Sequence, residues 1–452
     1  MNKMEIRTFI EENLENMKKD LAALVACPSV YSNDMKPFGS ANHDVLDRAL
    51  AQMEEKGLKT ENLDYYCGYG ETGQGDKLIG ILAHLDVVPA GDGWDGDPFV
   101  MSEKDGFLFG RGVSDDKGAA VASMYALKYL IAENYPFRKR VRLILGCNEE
   151  TGSACIAHYV EKKGHVDYGF TPDGGFPGIY AEKGMVGAMI VARNSKIIAI
   201  KGGDVSNAVC KRIEAAVPKG SFDVEKFKNY EMSHNITFEI SEDGDNTVLV
   251  VHGKAAHAST PDEGINAFHY LMEGLYAADF NDSFTDWFHE HFALTLHGEL
   301  LGFEKLKDEI SDTSINLGVI SGNEEEIHVT LDMRFPVRIN ATEVCKLLEV
   351  NDENNRIVIG HTVEPLFFDQ KTPFIQALKK AYVDLTGDDS PMEAIGGGTY
   401  AKAIHNCIAW GSEFPGESNN IHGANERLNI ENWKRQVELY VQAIRNLNEI
   451  KD

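Results

Sequence analysis

The chain has 452 residues, of which 43% are hydrophobic and 25% are charged, so its composition is that of an ordinary globular protein. This length exceeds what one hydrophobic core usually organises, and we expect two domains. The formal net charge of -27 disfavours nucleic acid and anionic membranes as partners, because both are polyanions that such a surface repels.

The N-terminal region lacks the pattern of a signal peptide, and no apolar run approaches membrane-spanning length. Seven cysteines, an odd number without a CxxC pair, favour reduced thiols over a disulfide framework. Cys147 lies in an apolar run and is interpreted as a small buried residue, not as a ligand. We therefore expect a cytoplasmic protein.

The first half of the chain alternates between helical and strand patterns. Apolar residues recur at helical spacing from Ile6 to Val25, and this helix should end before Pro28. The apolar runs KLIGILAHLDVVP and RVRLILGCNEE predict interior strands, separated by a helix from about Lys117 to Glu133. A further helix and the strand in VDYGFTPDGG follow. The alternation predicts a sheet covered on both faces, with the chemistry in loops at strand ends.

The sequence pattern changes from about Gly187 to His361. Segments such as HNITFEISEDGDNTVLVVHG and EIHVTLDMRFPVRI alternate apolar and polar residues around turn signals, which predicts a second, strand-rich domain inserted into the first. Helical patterns return after Pro373, and NIENWKRQVELYVQAIRNLNEI forms one closing helical stripe. The predicted divisions are 1–186 and 366–452 for the first domain and 187–365 for the insertion.

The first candidate site residues lie in AHLDVVP. In a strand, residues two apart point to the same side, so the Asp86 carboxylate can accept a hydrogen bond from the second imidazole nitrogen of His84. Such a partner orients the ring for metal binding. Taken alone, however, a histidine at a strand end is more often structural.

Two pairs of adjacent acids strengthen the metal interpretation. Asp115 and Asp116 lie in GRGVSDDKGAA, just before a predicted helix, and a helix N-cap could explain Asp116 but not both. Glu149 and Glu150 follow a buried strand in CNEETGS. Carboxylates there are costly unless a cation or hydrogen bonds compensate them. These pairs therefore indicate a metal site.

Two further residues complete a candidate ligand set. Asp173 follows another strand in TPDGG, and His422 lies in the turn-rich NNIHGANE. Imidazole and carboxylate ligands together suit zinc, manganese or cobalt better than magnesium or calcium. Paired hydrolytic metals lie roughly 3.5 to 4 Å apart, so one bridging carboxylate can span them and leave room for a bridging water. Asp115 is the residue chosen for that bridge.

The motifs HLDVVP, GWDGDPF, GRGVSDDKGA, NEETGS, TPDG and HGANE resemble, in this order, the co-catalytic zinc metallopeptidase family of aminoacylases, carboxypeptidases and carnosinase-type dipeptidases. The resemblance covers nearly the whole chain. The long insertion, with GGDVSNAV, GKAAHAST, LDMRFP and GGGTYA, is most similar to the bacterial dipeptidase V (Xaa-His dipeptidase) group. The resemblance implies an α/β fold, with a three-layer α/β/α catalytic domain of zinc-peptidase type and an inserted α+β lid domain.

For the metal centre, the resemblance implies that His84 and Asp173 hold one ion, that Glu150 and His422 hold the other, and that Asp115 bridges the two. Two divalent ions are implied, with zinc expected first and manganese or cobalt as alternatives. Asp86 then orients His84.

For catalysis, the resemblance assigns Glu149 as the general base, which takes a proton from the bridging water and hands it to the leaving amine. It also assigns a group of lid and pocket residues: His257, Arg334, Asn207 and the backbone of Gly397 and Gly398. His257 would stabilise the oxyanion, and Arg334 would bind the terminal carboxylate of the substrate. Alternatives stay open, since His257 could be a surface histidine, Asn207 a turn residue, and Arg334 a partner of Asp332.

The leading hypothesis is hydrolysis of small peptide substrates, above all dipeptides with a free N-terminus, by a metal-activated water. A lid that clamps both ends would exclude long chains. An N-acyl amino-acid deacylase could use the same metal site, and a catalytically inactive, metal-dependent binding protein is an alternative of another class that the intact Glu149 disfavours. A monomer is expected. The sequence assigns no role to Asp116 or Glu426.

Overall fold

The computed structural model of the protein describes residues 3–306, 308, 310 and 312–451. The chain divides into two compact units. Unit 1 comprises Met1–Tyr180, Phe368–Glu393 and Gly398–Asp452, and unit 2 comprises Ala181–Phe367 and Ala394–Gly397. The sequence pattern places the divisions at 186/187 and 365/366, and it does not anticipate the short segment after Glu393 that belongs to unit 2.

Up to the insertion, the elements in chain order are α1 (Lys3–Val25), α2 (Ser40–Glu55), β1 (Lys59–Leu63), β2 (Cys67–Gly73), β3 (Leu78–His84), β4 (Ser102–Lys104), β5 (Phe107–Phe109), α3 (Lys117–Ala132), β6 (Arg140–Gly146), α4 (Ala154–Lys163), β7 (Tyr168–Thr171) and β8 (Ile179–Glu182). The insertion continues with β9 (Gly184–Arg193), β10 (Ala199–Gly202), β11 (Arg212–Pro218), α5 (Val224–His234), β12 (Thr237–Asp243), β13 (Asn246–His252), α6 (Ala267–Ala277), α7 (Ser283–His291), β14 (Ser314–Asn323), β15 (Glu326–Phe335), α8 (Ala341–Leu347), β16 (Asn355–Val363) and β17 (Leu366–Phe367).

After the insertion the chain forms α9 (Pro373–Thr386), β18 (Glu393–Ile395), β19 (Cys407–Ala409), β20 (Arg427–Asn429) and α10 (Ile430–Asn448). Short 3-10 helices span Pro261–Glu263, Glu299–Leu301, Phe303–Lys305 and Tyr400–Ala403. No helix in the described part of the chain is long and apolar enough to cross a membrane.

The central sheet of unit 1 runs in the order β1-β2-β6-β3-β7-β19-β8. β3 pairs in parallel with β6 and β7, and β7 pairs in parallel with β19. Every residue of β3 is buried, as expected of a strand that is covered on both faces. Because parallel strands end at the same edge of a sheet, the residues that follow β3, β6, β7 and β19 come together there.

The predicted helices and strands of unit 1 are confirmed where the apolar pattern is strong. The runs chosen as interior strands are β3 and β6, and the helices at both ends of the chain are α1 and α10. The Asn429 side chain caps α10 by accepting a hydrogen bond from the Asn432 N–H at 3.0 Å. Trp433 is fully buried and donates its indole N–H to the Gly118 carbonyl at 2.8 Å, which joins α10 to α3.

Unit 2 contains an eight-stranded antiparallel sheet in the order β12-β13-β11-β10-β14-β15-β9-β16. Burial alternates along much of β9 and β11, as the alternating sequence predicts. Apolar residues of the sheet and of α6 and α7 form a core that belongs to this unit and includes the fully buried Phe268, Leu271 and Phe288. The α/β catalytic fold with an α+β insertion is therefore confirmed.

Candidate metal centre

The ends of neighbouring strands bring the predicted ligands together in unit 1. His84 is the last residue of β3, Glu150 follows β6, and Asp173 follows β7. Asp115 comes from the loop before α3, and His422 comes from the loop before β20. Most of these side chains line a cavity of about 280 Å³, while His84 is buried beside it.

Asp115 lies between the two histidines. Its Oδ1 is 3.0 Å from His84 Nε2, and its Oδ2 is 3.0 Å from His422 Nε2. His422 Nε2 is also 3.2 Å from Glu150 Oε2. Each carboxylate oxygen of Asp115 therefore faces a different histidine, which is the arrangement that a carboxylate bridging two metal ions requires.

The donor set fits divalent metal ions. Two overlapping groups bring one ligand atom from each member within 4.8 Å of the others: His84, Glu149 and Asp173, and His84, Asp115 and Glu150. None of the described residues that line the cavity is a lysine or arginine. Burial, followed by the charge of Asp115, raises the pKa of Asp173 well above its usual range. Nearby cations would compensate these crowded acids, as bound metal ions do.

The pKa values of both histidines are raised above the usual value. Burial by itself lowers the pKa of His84, but hydrogen bonds to Asp115 and Asp86 outweigh it and raise that pKa well above the usual value. Hydrogen bonds to Asp115 and Glu150 raise the pKa of His422 to about 10. A metal ion must displace these protons, because imidazole binds metal in its neutral form.

The geometry of His84 and Asp86 differs in detail from the predicted one. His84 Nδ1 donates to the backbone carbonyl of Asp86 at 2.9 Å, and the carboxylate Oδ1 lies farther away, at 3.6 Å. This hydrogen bond still directs Nε2 towards Asp115. The Asp86 carboxylate instead accepts hydrogen bonds from the backbone N–H groups of Glu149 and Glu150, at 3.0 and 3.1 Å. Asp86, in the loop after β3, thus holds the loop after β6 in place.

Glu149 lies in the same cavity and has an acid–base character suited to neutral pH. Burial raises its pKa to about 7, with further contributions from the charges of Glu150, Asp86 and Asp115, while the charge of His84 lowers it. A carboxylate with a pKa near 7 can both accept and release a proton at neutral pH.

Glu426 has a structural role that the sequence did not reveal. It is fully buried, and its carboxylate accepts hydrogen bonds from Arg111 Nη1 at 2.7 Å and from the backbone N–H groups of Gly112, Ser114 and Asp115 at 3.0, 2.9 and 3.1 Å. It therefore fixes the loop that carries Asp115. Its position in HGANE, close to a candidate ligand, is the only sequence signal, since burial is set by tertiary contacts.

Asp116 also contacts a candidate ligand, through the backbone of His84. It occupies the N-cap position of α3, but its side chain makes no capping hydrogen bond. Its Oδ2 instead accepts the backbone N–H of His84 at 3.2 Å. Burial raises the pKa of Asp116 well above its usual range. The N-cap interpretation thus predicts the position of Asp116 at the start of α3, but it does not predict the hydrogen bond to His84.

The predicted substrate residues His257, Arg334, Asn207 and Gly397 belong to unit 2, whereas Gly398 belongs to unit 1 and lines the metal cavity. Within unit 2, His257 Nδ1 accepts the backbone N–H of Ser259 at 3.2 Å, and the Ala258 N–H donates to the Asn207 carbonyl at 2.9 Å.

Arg334 forms the pair with Asp332 that the sequence left open. Arg334 Nε lies 2.7 Å from Asp332 Oδ1, and Nη2 lies 3.0 Å from Oδ2. The third nitrogen, Nη1, donates to the Gly396 carbonyl at 3.4 Å. Asp332 thus binds one side of the guanidinium, and Gly396 accepts from the third nitrogen.

Comparison with known proteins places these residues in a family context. Residues 80–446 match the family model for Peptidase family M20/M25/M40. A Staphylococcus haemolyticus protein named "Putative dipeptidase" is 31% identical over 450 residues, covering 95% of this chain and 96% of that one. A Bacillus subtilis protein with the same description is 32% identical over 429 residues, covering 91% and 92%. The crystal structure of human carnosine dipeptidase 1 covers 99% of both chains at 18% identity, with a TM-score of 0.59, and so has the same fold.

Proposed function

Because the chain belongs to Peptidase family M20/M25/M40 and is therefore a metallopeptidase, we propose that it is a dinuclear dipeptidase, which hydrolyses short peptides with a free N-terminus. The observation that carries the dinuclear part is the position of Asp115, whose two carboxylate oxygens each lie 3.0 Å from a different histidine. The dipeptidase part is supported by the names of relatives that cover more than nine tenths of the chain.

In this proposal His84 and Asp173 hold one ion, Glu150 and His422 hold the other, and Asp115 bridges them. Zinc suits the mixed imidazole and carboxylate set best, and manganese or cobalt would also fit. Metal ions held by these residues would supply Lewis acidity, which would polarise a carbonyl and lower the pKa of a bound water.

Glu149 is the proposed general base. It takes a proton from the attacking water and delivers it to the leaving amine, so it must be ionised before the reaction and protonated during it. The pKa of about 7 that burial gives Glu149 suits both steps. The Asp86 carboxylate positions Glu149 by accepting the Glu149 backbone N–H. The Asp86 backbone carbonyl orients His84 by accepting a hydrogen bond from its Nδ1.

Residues of the insertion are proposed to bind the substrate. Because His257 Nδ1 accepts a hydrogen bond from Ser259, its remaining proton is on Nε2, where it can donate to an oxyanion. The outer edge of Arg334 offers two N–H groups to a substrate carboxylate, and Asp332 keeps the guanidinium oriented. Asn207 and the backbone of Gly397 and Gly398 are proposed as further substrate-binding groups.

The proposed active form is a monomer in the cytoplasm. All seven cysteines are thiols, which suits a reducing compartment.

The experiment that tests the proposal is a substrate panel with protein loaded with zinc, manganese or cobalt. We expect release of amino acids from Ala-Ala and other dipeptides, and little turnover of N-acetyl-alanine or of Ala-Ala amide, which lack one of the two charged ends. Hydrolysis of the acyl amino acids alone would identify a deacylase. No turnover of any substrate with any of the metals would favour an inactive binding protein and reject the proposal.

A further inference from the structure

One acid in the metal cavity has no place in the proposed chemistry. Glu413 lines the cavity together with Asp115, Glu150 and His422. It follows β19, whose carboxyl end lies beside that of β7, the strand that precedes Asp173. It is neither one of the ligands nor the general base.

The backbone of Glu413 is fixed on both sides to the loop after β7. Its N–H donates to the Gly174 carbonyl at 3.0 Å, and its own carbonyl accepts the Phe176 N–H at 2.8 Å. The position of this acid beside the proposed ligands is therefore set by backbone hydrogen bonds to the loop after β7.

The side chain is held by one oxygen. Glu413 Oε1 accepts a hydrogen bond from Asn419 Nδ2 at 3.2 Å, and the buried Asn419 is itself fixed because its carbonyl accepts the Arg427 N–H at 2.9 Å. Among the described residues, Glu413 forms no ion pair, and its Oε2 accepts no hydrogen bond. One carboxylate oxygen is thus oriented by a buried amide, and the other remains available to a ligand.

The charge of Glu413 is also in excess. Two divalent ions carry four positive charges, which the ligands Asp115, Glu150 and Asp173 together with ionised Glu149 would balance. Glu413 adds a further negative charge to the same cavity. Burial, with the nearby carboxylates Glu417 and Asp115, raises its pKa, because the ionised form is desolvated beside like charges.

We propose that Glu413 is a specificity-determining residue that binds a cationic group of the substrate through its free carboxylate oxygen. An ammonium group would supply the missing positive charge and a charge-assisted hydrogen bond. In a dipeptide the α-ammonium is one carbon away from the scissile carbonyl, so both groups fit in the same cavity. A basic side chain offers the same chemistry. This inference rests on the proposed function, to which it adds the residue that makes a positive charge on the substrate favourable.

The test measures binding, so it does not depend on turnover. Non-hydrolysable phosphinic analogues of Ala-Ala, of N-acetyl-Ala-Ala and of Lys-Ala are titrated calorimetrically into zinc-loaded wild-type protein and into the Glu413→Gln variant. Glu417→Gln is the matched control, because it removes the same charge nearby while Glu417 accepts hydrogen bonds from the Phe414 N–H and from Asn432 outside the cavity lining. Zinc content is measured for all three proteins.

We expect wild type and Glu417→Gln to bind the free-amino analogue at least about tenfold more tightly than the N-acetyl analogue, and Glu413→Gln to lose this preference while keeping both zinc ions. If Glu413→Gln loses only the additional affinity for the lysine analogue, the bound cation is the side chain, and the inference still holds. It is overturned if Glu413→Gln keeps every preference, if wild type shows none, or if the substitution releases zinc, which would make Glu413 a ligand. Failure of the substrate panel would instead reject the proposed function.

Discussion

Glu149 is the residue on which two chemical roles converge. Its carboxylate lies close enough to His84 and Asp173 to serve as a metal ligand, and its pKa of about 7 suits a general base. Adjacent acids on one loop can divide these roles, because Glu150 contacts His422 and leaves Glu149 to handle the proton. The two roles lead to different outcomes when the side chain is removed.

For Glu149→Ala we expect both metal ions to remain bound while kcat for Ala-Ala falls by about 10²- to 10⁴-fold, the usual contribution of a positioned base. Metal content by mass spectrometry and steady-state kinetics check this together. Loss of one ion would show that Glu149 is a ligand, and full activity would show that another group takes the proton.

The raised pKa values of His84 and His422 predict that metal binding releases protons. Both groups are protonated in the metal-free site up to a pH above their usual values, to about 10 for His422, and zinc requires them neutral. Zinc affinity should therefore fall as the pH is lowered below 10. Calorimetric titrations at pH 7 in two buffers of different ionisation enthalpy should give different binding enthalpies. Equal enthalpies in both buffers would contradict this.

At the scale of elements, the site depends on loops that follow parallel strands and on buried side chains that fix those loops. Glu426 connects the segment before β20 to the loop before α3 through Arg111 and three backbone N–H groups. Both members of this ion pair are almost completely buried. Removing the charge of one member leaves the other uncompensated in the interior.

We therefore predict that Glu426→Gln lowers the free energy of unfolding by about 3 to 5 kcal/mol and also weakens zinc binding, since Asp115 lies on the loop that Glu426 holds. Denaturant unfolding and zinc titration measure the two effects. Glu449→Gln is the control, because its pair with Arg138 is exposed and should contribute less than about 1 kcal/mol. A similarly small effect for Glu426→Gln would mean that the loop is held by other contacts.

The sequence predicts those elements whose burial is visible in the chain itself. β3 and β6 are continuous apolar runs, and α10 has one long apolar stripe, so all three are predicted correctly. β1 and β2 are not predicted, because their residues are largely polar or glycine. Gly68 and Gly70 lie close against Leu50 and Met53 of α2, a contact between elements that no local pattern encodes.

In the site, too, some residues can be predicted from local sequence patterns, and others depend on tertiary contacts. The acids after β6 and β7 could be predicted, because buried strands bring the residues that follow them to one edge. The buried contacts of Glu426 could not be predicted, and neither could the hydrogen bonds of Asp86 to the loop after β6. Both depend on which loops become neighbours after folding. Glu413 was missed for the same reason.

For the whole molecule, the unit that contains the proposed metal ligands is assembled from segments on both sides of the insertion. His84, Asp115, Glu150 and Asp173 precede the insertion, and His422 follows it. The candidate centre therefore combines residues from both sides of the insertion. The proposed metal ligands thus belong to unit 1, together with Glu413, and the proposed substrate residues His257 and Arg334 belong to unit 2.

The most direct test of a dinuclear peptidase is a zinc titration of metal-free protein, with hydrolysis of Ala-Ala measured after each addition. The proposed ligand set predicts that activity is absent without metal, rises with added zinc and reaches its maximum at two equivalents of zinc per chain. Full activity at one equivalent, or hydrolysis without metal, would contradict the two-ion site centred on Asp115.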